Sequence, residues 1–349
     1  MKANKIKTHE LEKCYSICPL TYKGAEHILV AAEKVNKCLM FDLDGNLEDT
    51  IWDEPGGTMS MVQIPGTDGE FLATHKFYSP NDSKEAKIVH VSPKGDHEWE
   101  IKTAVELPFV HRFDILSSNG VNYLVGCTIK SAHEYKEDWR TPGKIWVGVL
   151  PEDWSGVDEE HPIEMTVLKD GLMRNHGYCR VEKEGRMWAA VGTDNGILKI
   201  VPPEEKGGEW TIEILTEDAA SDMTFADFDG DGEDEMLVMT PFHGEIIKIY
   251  KKADGKYTCV KTFDKPYEFA HGIWAADIFG KGTAIVGHRK GERDLMACTW
   301  NGTDYVMELL DHNVGPANVR IYDKPGNKVG LISTNREINE IAFYELENE

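Results

Sequence analysis

The chain has 349 residues, with 38 basic against 61 acidic, for a formal net charge of −23. Such an excess of carboxylates argues against a nucleic-acid partner, which needs clustered Lys and Arg to displace counterions, and against an anionic membrane surface. The first twenty residues hold no apolar run of signal-peptide length and no segment approaches a spanning helix; the seven cysteines (14, 18, 38, 127, 179, 259, 298) are scattered without a C-x-x-C. The expectation is a cytoplasmic protein with reduced thiols, its oligomeric state open.

In chain order, Ile6–Glu12 (IKTHELE) comes first as a lone strand. Seven similar units follow, each marked by a glycine turn between two apolar segments, with the glycines at Gly24, Gly69, Gly120, Gly185, Gly230, Gly280 and Gly326. A strand such as HGIWAADI precedes each turn and a short one such as EMLVM or AIVGH follows it; third and fourth strands (IIKIYKK, TIEILTE) complete most units. No segment keeps a helical period. The reading is an all-β, seven-bladed β-propeller forming a single domain over residues 1–349. The last unit ends at its third strand, Ile341–Glu347, and Ile6–Glu12 is available to complete it, closing the ring and removing open sheet edges. The third unit carries a long connection, Ile129–Lys144, expected to overhang the face where innermost strands begin.

Blade five carries ADFDGDGEDEMLV. Its D-x-D-x-D-G-x-x-E spacing sets Asp227, Asp229, Asp231 and Glu235 around one point, with the Glu233 carbonyl completing an oxygen cage suited to Ca²⁺. The stretch resembles the calcium loop of FG-GAP/VCBS-type propeller repeats; blade six, with DIFGKGT, lacks the acids. The loop belongs to the face opposite the long insertion, so its expected role is structural.

Aligned on the turn glycines, the position nine residues earlier holds Tyr15, Ser60, His111, His176, Ser221, His271 and Ala317. Three histidines of seven is far above chance for a chain with 13 in all. These positions converge on the channel mouth, where neutral imidazoles from separate strands suit a divalent transition metal such as Zn or Mn. The predicted ligands are His111, His176 and His271, with His75 a fourth partner or base. A second column, after each second strand, holds Glu33, His75, Thr128, Asp194, Pro241, Arg289 and Asn335, flanked by His243, His288, Lys290 and Arg336. From these rim residues His75, His176, Asp194, Arg289 and Arg336 are the catalytic candidates: Asp194, Glu33 or a free histidine as base, the arginines for a carboxylate or oxyanion. Tyr15, Glu33, His243, His288, Lys290 and Asn335 are candidates to line the substrate site; taken alone, His243 reads as a satisfied structural histidine.

The seven-unit pattern with one acidic loop and rim histidines resembles the propeller domain of aldos-2-ulose dehydratase and, more loosely, oligogalacturonate lyase. That resemblance implies a metal-dependent carbon–oxygen lyase acting by β-elimination or dehydration on a small carbohydrate, an oxidised, anhydro or uronic-acid sugar. A sugar isomerase or epimerase using the same site, and a non-catalytic glycan- or protein-binding propeller, remain the alternatives. A structural ion or ordered water plugging the channel would account for the histidines alone.

Overall fold

Each blade begins with a hairpin that its glycine makes geometrically accessible. All seven turn glycines have φ between +72° and +89°, and Lys23, Asn119, Glu184 and Phe279, which precede four of them, are also left-handed. Two consecutive left-handed residues form the turn whose twist matches that of antiparallel strands. The computed structural model describes residues 1–35 and 37–348. Among them, seven four-stranded antiparallel sheets form a ring, as the sequence pattern predicts.

The second strand of each blade lies between neighbouring blades and reads as a continuous apolar run. Phe71–His75, Glu235–Thr240 and most of Val121–Thr128 are buried at every residue, whereas the outermost Thr211–Thr216 is almost fully solvated. The long connection of blade three spans the gap between Val121–Thr128 and Gly143–Val149 and sets Trp139 against Phe242 of blade five. The seven thiols are all free. No helix among the described residues is long and apolar enough to cross a membrane.

Closure follows the predicted scheme. Lys2–Glu10 pairs antiparallel with Glu340–Glu347 as the outermost strand of the last blade, running from Lys2 opposite Glu347 to Glu10 opposite Glu340. The strand starts and ends earlier than Ile6–Glu12. Leu11 is buried and its N–H donates to the Asn339 carbonyl, after which Lys13, at φ +53°, turns the chain into the first blade. The seam is then packed by Phe41 and Phe343, whose ring centres lie 5.4 Å apart, with the His9 ring 4.8 Å from that of Phe41.

Removing residues 1–12 exposes the edge of the last blade and unpacks this seam, so the melting temperature should fall by about 10 °C or more. Phe343→Ala keeps the strand and empties the seam; a loss of about 3–5 kcal/mol in chemical unfolding is expected. An unchanged melt after truncation would refute closure through the N-terminal strand.

Candidate metal centre

The aligned column lies where the innermost strands begin, and all seven of its residues are buried. Its side chains lace each blade to the next. His176 Nδ1–H donates to the Ser221 carbonyl at 2.8 Å, His271 Nδ1–H to the Ala317 carbonyl at 2.6 Å, and Ser60 Oγ–H to the His111 carbonyl at 3.4 Å. A carbonyl only accepts, so both histidines carry their proton on Nδ1 and present a bare Nε2 to the axis.

The histidines that converge there are His176, His243 and His271, with one ring nitrogen of each within 4.8 Å of the other two. Nε2 of His176 and Nε2 of His243 are 3.3 Å apart, and the Tyr15 hydroxyl is 3.1 Å from Nε2 of His271. His176 is pushed down to about 3, first by burial and then by Arg112; His243 and His271 are held well below 6.5, again mainly by burial, with Arg289 contributing. Three neutral imidazoles therefore share one small volume.

This set differs from the predicted His111, His176 and His271. The His111 ring lies against that of His176 at 4.4 Å and 30° and meets Phe77 at 5.1 Å, but its nitrogens do not join the converging group, and its Nδ1 is buried with no partner of good geometry. His243, expected among the residues lining the substrate site, takes its place. It sits at φ +50° in the connection after Glu235–Thr240, and that left-handed kink directs the ring over the axis. Phe242 stacks on it at 3.9 Å and Phe269 approaches at 4.3 Å.

The other predicted rim residues divide by what already holds them. His75 is buried against Trp52 at 4.8 Å, with Nε2 unpartnered, and is not grouped with the axial nitrogens. His288 spends Nδ1–H on the Lys290 carbonyl and accepts the Asp294 N–H at Nε2, a satisfied structural histidine. Asn335 bonds Ser333, Glu340 and Tyr344 inside blade seven. Arg336 pairs with Glu33 and with Glu337, and Glu337 also binds Arg289 at 2.7 Å, a four-membered network the sequence reading missed through Glu337. Asp194 pairs with Arg174 at 3.0 Å; burial raises its carboxyl and Arg174 opposes the shift. Arg174 lies over Trp139 and Phe242, each at 5.5 Å, and Trp139 from the long connection meets Phe242 at 5.3 Å. The insertion thus roofs the histidines. Lys290 sits over Phe269 at 5.3 Å and has no ion pair among the described residues.

On the opposite face, the blade-five loop brings Asp227, Asp229 and Glu235 together. Asp227 accepts the N–H groups of Gly230, Asp231 and Gly232, which shapes the turn. Lys251, from the third strand, places its ammonium on Asp229, on Asp231 at 2.7 Å and on Glu235 at 3.0 Å. A cation is thus already supplied by the chain where calcium was expected, and it draws in Asp231 beside the converging carboxylates of Asp229 and Glu235.

No family model matches the chain, and no curated protein sequence matches it. Solved structures do. The BBS1N chain crystallised in complex with ARL6DN superposes with a TM-score of 0.60 over 99% of this chain and 97% of that one, at 10% identity. Sqt1 of Saccharomyces cerevisiae gives 0.58 over the full length of both, also at 10% identity. The likeness is one of fold.

Two outcomes are expected from this geometry. Below pH 6.5 the unfolded chain takes up protons that His75 (pushed down to about 4 by burial), His111, His176, His243 and His271 refuse when folded, so stability falls on acidification. Asp222, pushed up to about 6 by burial, runs the other way, as do Asp114, Asp194 and Glu235, also raised by burial; but burial lowers His90 and His288 too, so seven histidines stand against four carboxyls. His111→Gln removes one of these protons and should recover about 2 kcal/mol of the stability lost between pH 7 and pH 5 in urea titrations; an unchanged pH dependence would contradict the neutral assignment. Separately, calcium has to displace Lys251. Thermal melts with Ca²⁺ against EGTA should show a larger calcium-dependent rise for Lys251→Met than for the unaltered chain; equal responses would remove calcium from the loop.

Proposed function

We propose that the chain is a metal-dependent carbon–oxygen lyase whose centre is formed by His176, His243 and His271 and whose substrate is a small oxidised, anhydro or uronic-acid sugar. The observation that carries the metal is the pair of facing Nε2 atoms 3.3 Å apart. His176 has no Nε2 proton to give, and two nitrogens bound to one tetrahedral zinc at about 2.05 Å stand about 3.3 Å apart. The donor set, neutral imidazoles of which His176 and His271 are oriented by a carbonyl on the other nitrogen, fits a borderline transition metal better than a hard one. The sequence resemblance to the dehydratase and lyase propellers supplies the reaction class.

Bound there, a divalent ion would polarise a substrate carbonyl or carboxylate and acidify the neighbouring C–H. The chain's own part is proton handling and orientation. Tyr15 keeps a hydroxyl beside His271 Nε2, at the depth of the imidazoles, with the Arg112 guanidinium 5.9 Å from its ring. Lys290 is the rim cation left free for a carboxylate, and Phe242, Phe269 and Trp139 exclude water above the centre. Elimination then balances simply. The α-proton leaves to a base, its bonding pair forms the C=C bond, and the β C–O bond breaks, with the departing oxygen taking a proton. Tyr15 and the rim carboxylate Asp194 are the groups assigned to these transfers.

Candidate keto-, anhydro- and uronic-acid sugars, incubated with the metal-loaded chain, should give rising ultraviolet absorbance from conjugated enones or unsaturated uronates. His176→Ala should abolish the signal together with bound metal, and Tyr15→Phe should keep the metal while lowering turnover by about 10²-fold or more. Exchange of the α-proton with solvent without elimination would replace the lyase with an isomerase, and inertness of all three sugar classes with metal in place would replace it with a binding propeller.

A further inference from the structure

A cavity of about 800 Å³ lies along the axis on the side of the turn glycines, and no axial histidine lines it. Its size falls in the range of small-molecule sites. Its wall is charged. Arg112 donates to the Met59 carbonyl at 3.1 Å and stands 3.8 Å from Asp222; Arg180 pairs with Asp114 at 2.9 Å. Arg320 lies over the Trp274 indole, its guanidinium carbon 4.2 Å from the ring centre, and has no hydrogen bond or ion pair among the described residues. The lining also carries Lys183 and Lys281 and the carboxylates of Glu182, Asp227, Asp229, Asp234 and Asp277, so acids outnumber bases, yet of its three arginines Arg320 is the one without a carboxylate.

A guanidinium with free donors facing a cavity suits an anionic partner, and its planar N–H fork matches a carboxylate or phosphate. Arg320 is half-buried, and desolvation brings it down to about 10, with Arg180 adding repulsion. The lining carboxylates Asp227 and Asp277 accept backbone N–H groups in their turns and keep further lone pairs for ligand hydroxyls.

We propose that this cavity binds a small hydroxylated organic anion, a sugar acid or sugar phosphate, with its anionic group held by Arg320 and Arg180 and its hydroxyls directed to the lining carboxylates Asp227 and Asp277. The assignment stands apart from the metal centre at the other end of the axis. The unpaired guanidinium and the volume occur together, and one ligand satisfies both.

The test is isothermal titration of the full chain, stripped with EDTA, against D-gluconate, D-glucose 6-phosphate and D-glucose. One of the two anions should bind with a sub-millimolar Kd, telling carboxylate from phosphate, and D-glucose should not. Arg320→Gln should weaken that binding by about tenfold or more, the usual loss of a charged hydrogen-bonding partner. Arg320→Lys, which keeps the charge and loses the two-pronged donor, should weaken it less than Arg320→Gln, and His176→Ala should leave it unchanged while losing metal. Absence of binding for both anions, or binding indifferent to Arg320→Gln, would overturn the proposal.

Discussion

A histidine that gives its Nδ1 proton to the carbonyl of the next blade does two things with one hydrogen bond. It ties neighbouring sheets together at their innermost edge, and it fixes which nitrogen faces the axis. His176 on Ser221 and His271 on Ala317 both do this, at 2.8 Å and 2.6 Å. Neither ring can rotate without leaving a buried carbonyl unpaired, at a cost of about 1–3 kcal/mol. The bare Nε2 atoms are therefore held in place before any ligand arrives, as a metal centre requires.

That orientation depends on the ring being closed. Blades six and seven supply His271 and Ala317, and blade seven is complete only because Lys2–Glu10 pairs with Glu340–Glu347. A splayed last blade would move the Ala317 carbonyl away from His271. The Tyr15 carbonyl, which accepts from Asn318 at 2.9 Å and from Thr334 at 2.9 Å, is the matching tie between blades seven and one. Strand pairing at the rim, carbonyl ties at the axis and imidazole tautomer form one chain of dependence. The charges divide along the same axis: imidazoles kept neutral by burial at one end, and three arginines, one without a carboxylate, in the cavity at the other.

The ring was legible in the sequence because it is written in local chemistry. Glycines at left-handed turns and apolar second strands recur in every unit, and a missing fourth strand at one end is matched by a spare strand at the other. The axial column was legible for the same reason, since alignment on the glycines puts His176 and His271 at equivalent depth. Alignment also misled. It gave His111 the same standing, although its nitrogens fall outside the converging group, and it passed over His243, which lies two residues beyond the aligned Pro241 and reaches the axis through a backbone kink that no periodicity encodes. Lys251 escaped notice because it is sixteen positions from Glu235 and meets it only across a strand pair. The arginine-lined cavity was invisible because Arg112, Arg180 and Arg320 belong to three different blades, and an unpaired charge is recognised only once its neighbours are known.

The central claim is that three imidazoles from blades four, five and six hold one transition metal on the axis. Crystals of the full chain grown with zinc, measured on both sides of the zinc absorption edge, test it most directly. The account predicts an anomalous peak on the axis bonded to Nε2 of His176 and of His243 and to a ring nitrogen of His271 at about 2.0–2.1 Å. Ordered rings in their present positions with no anomalous density between them, or a peak held by other residues, would contradict it.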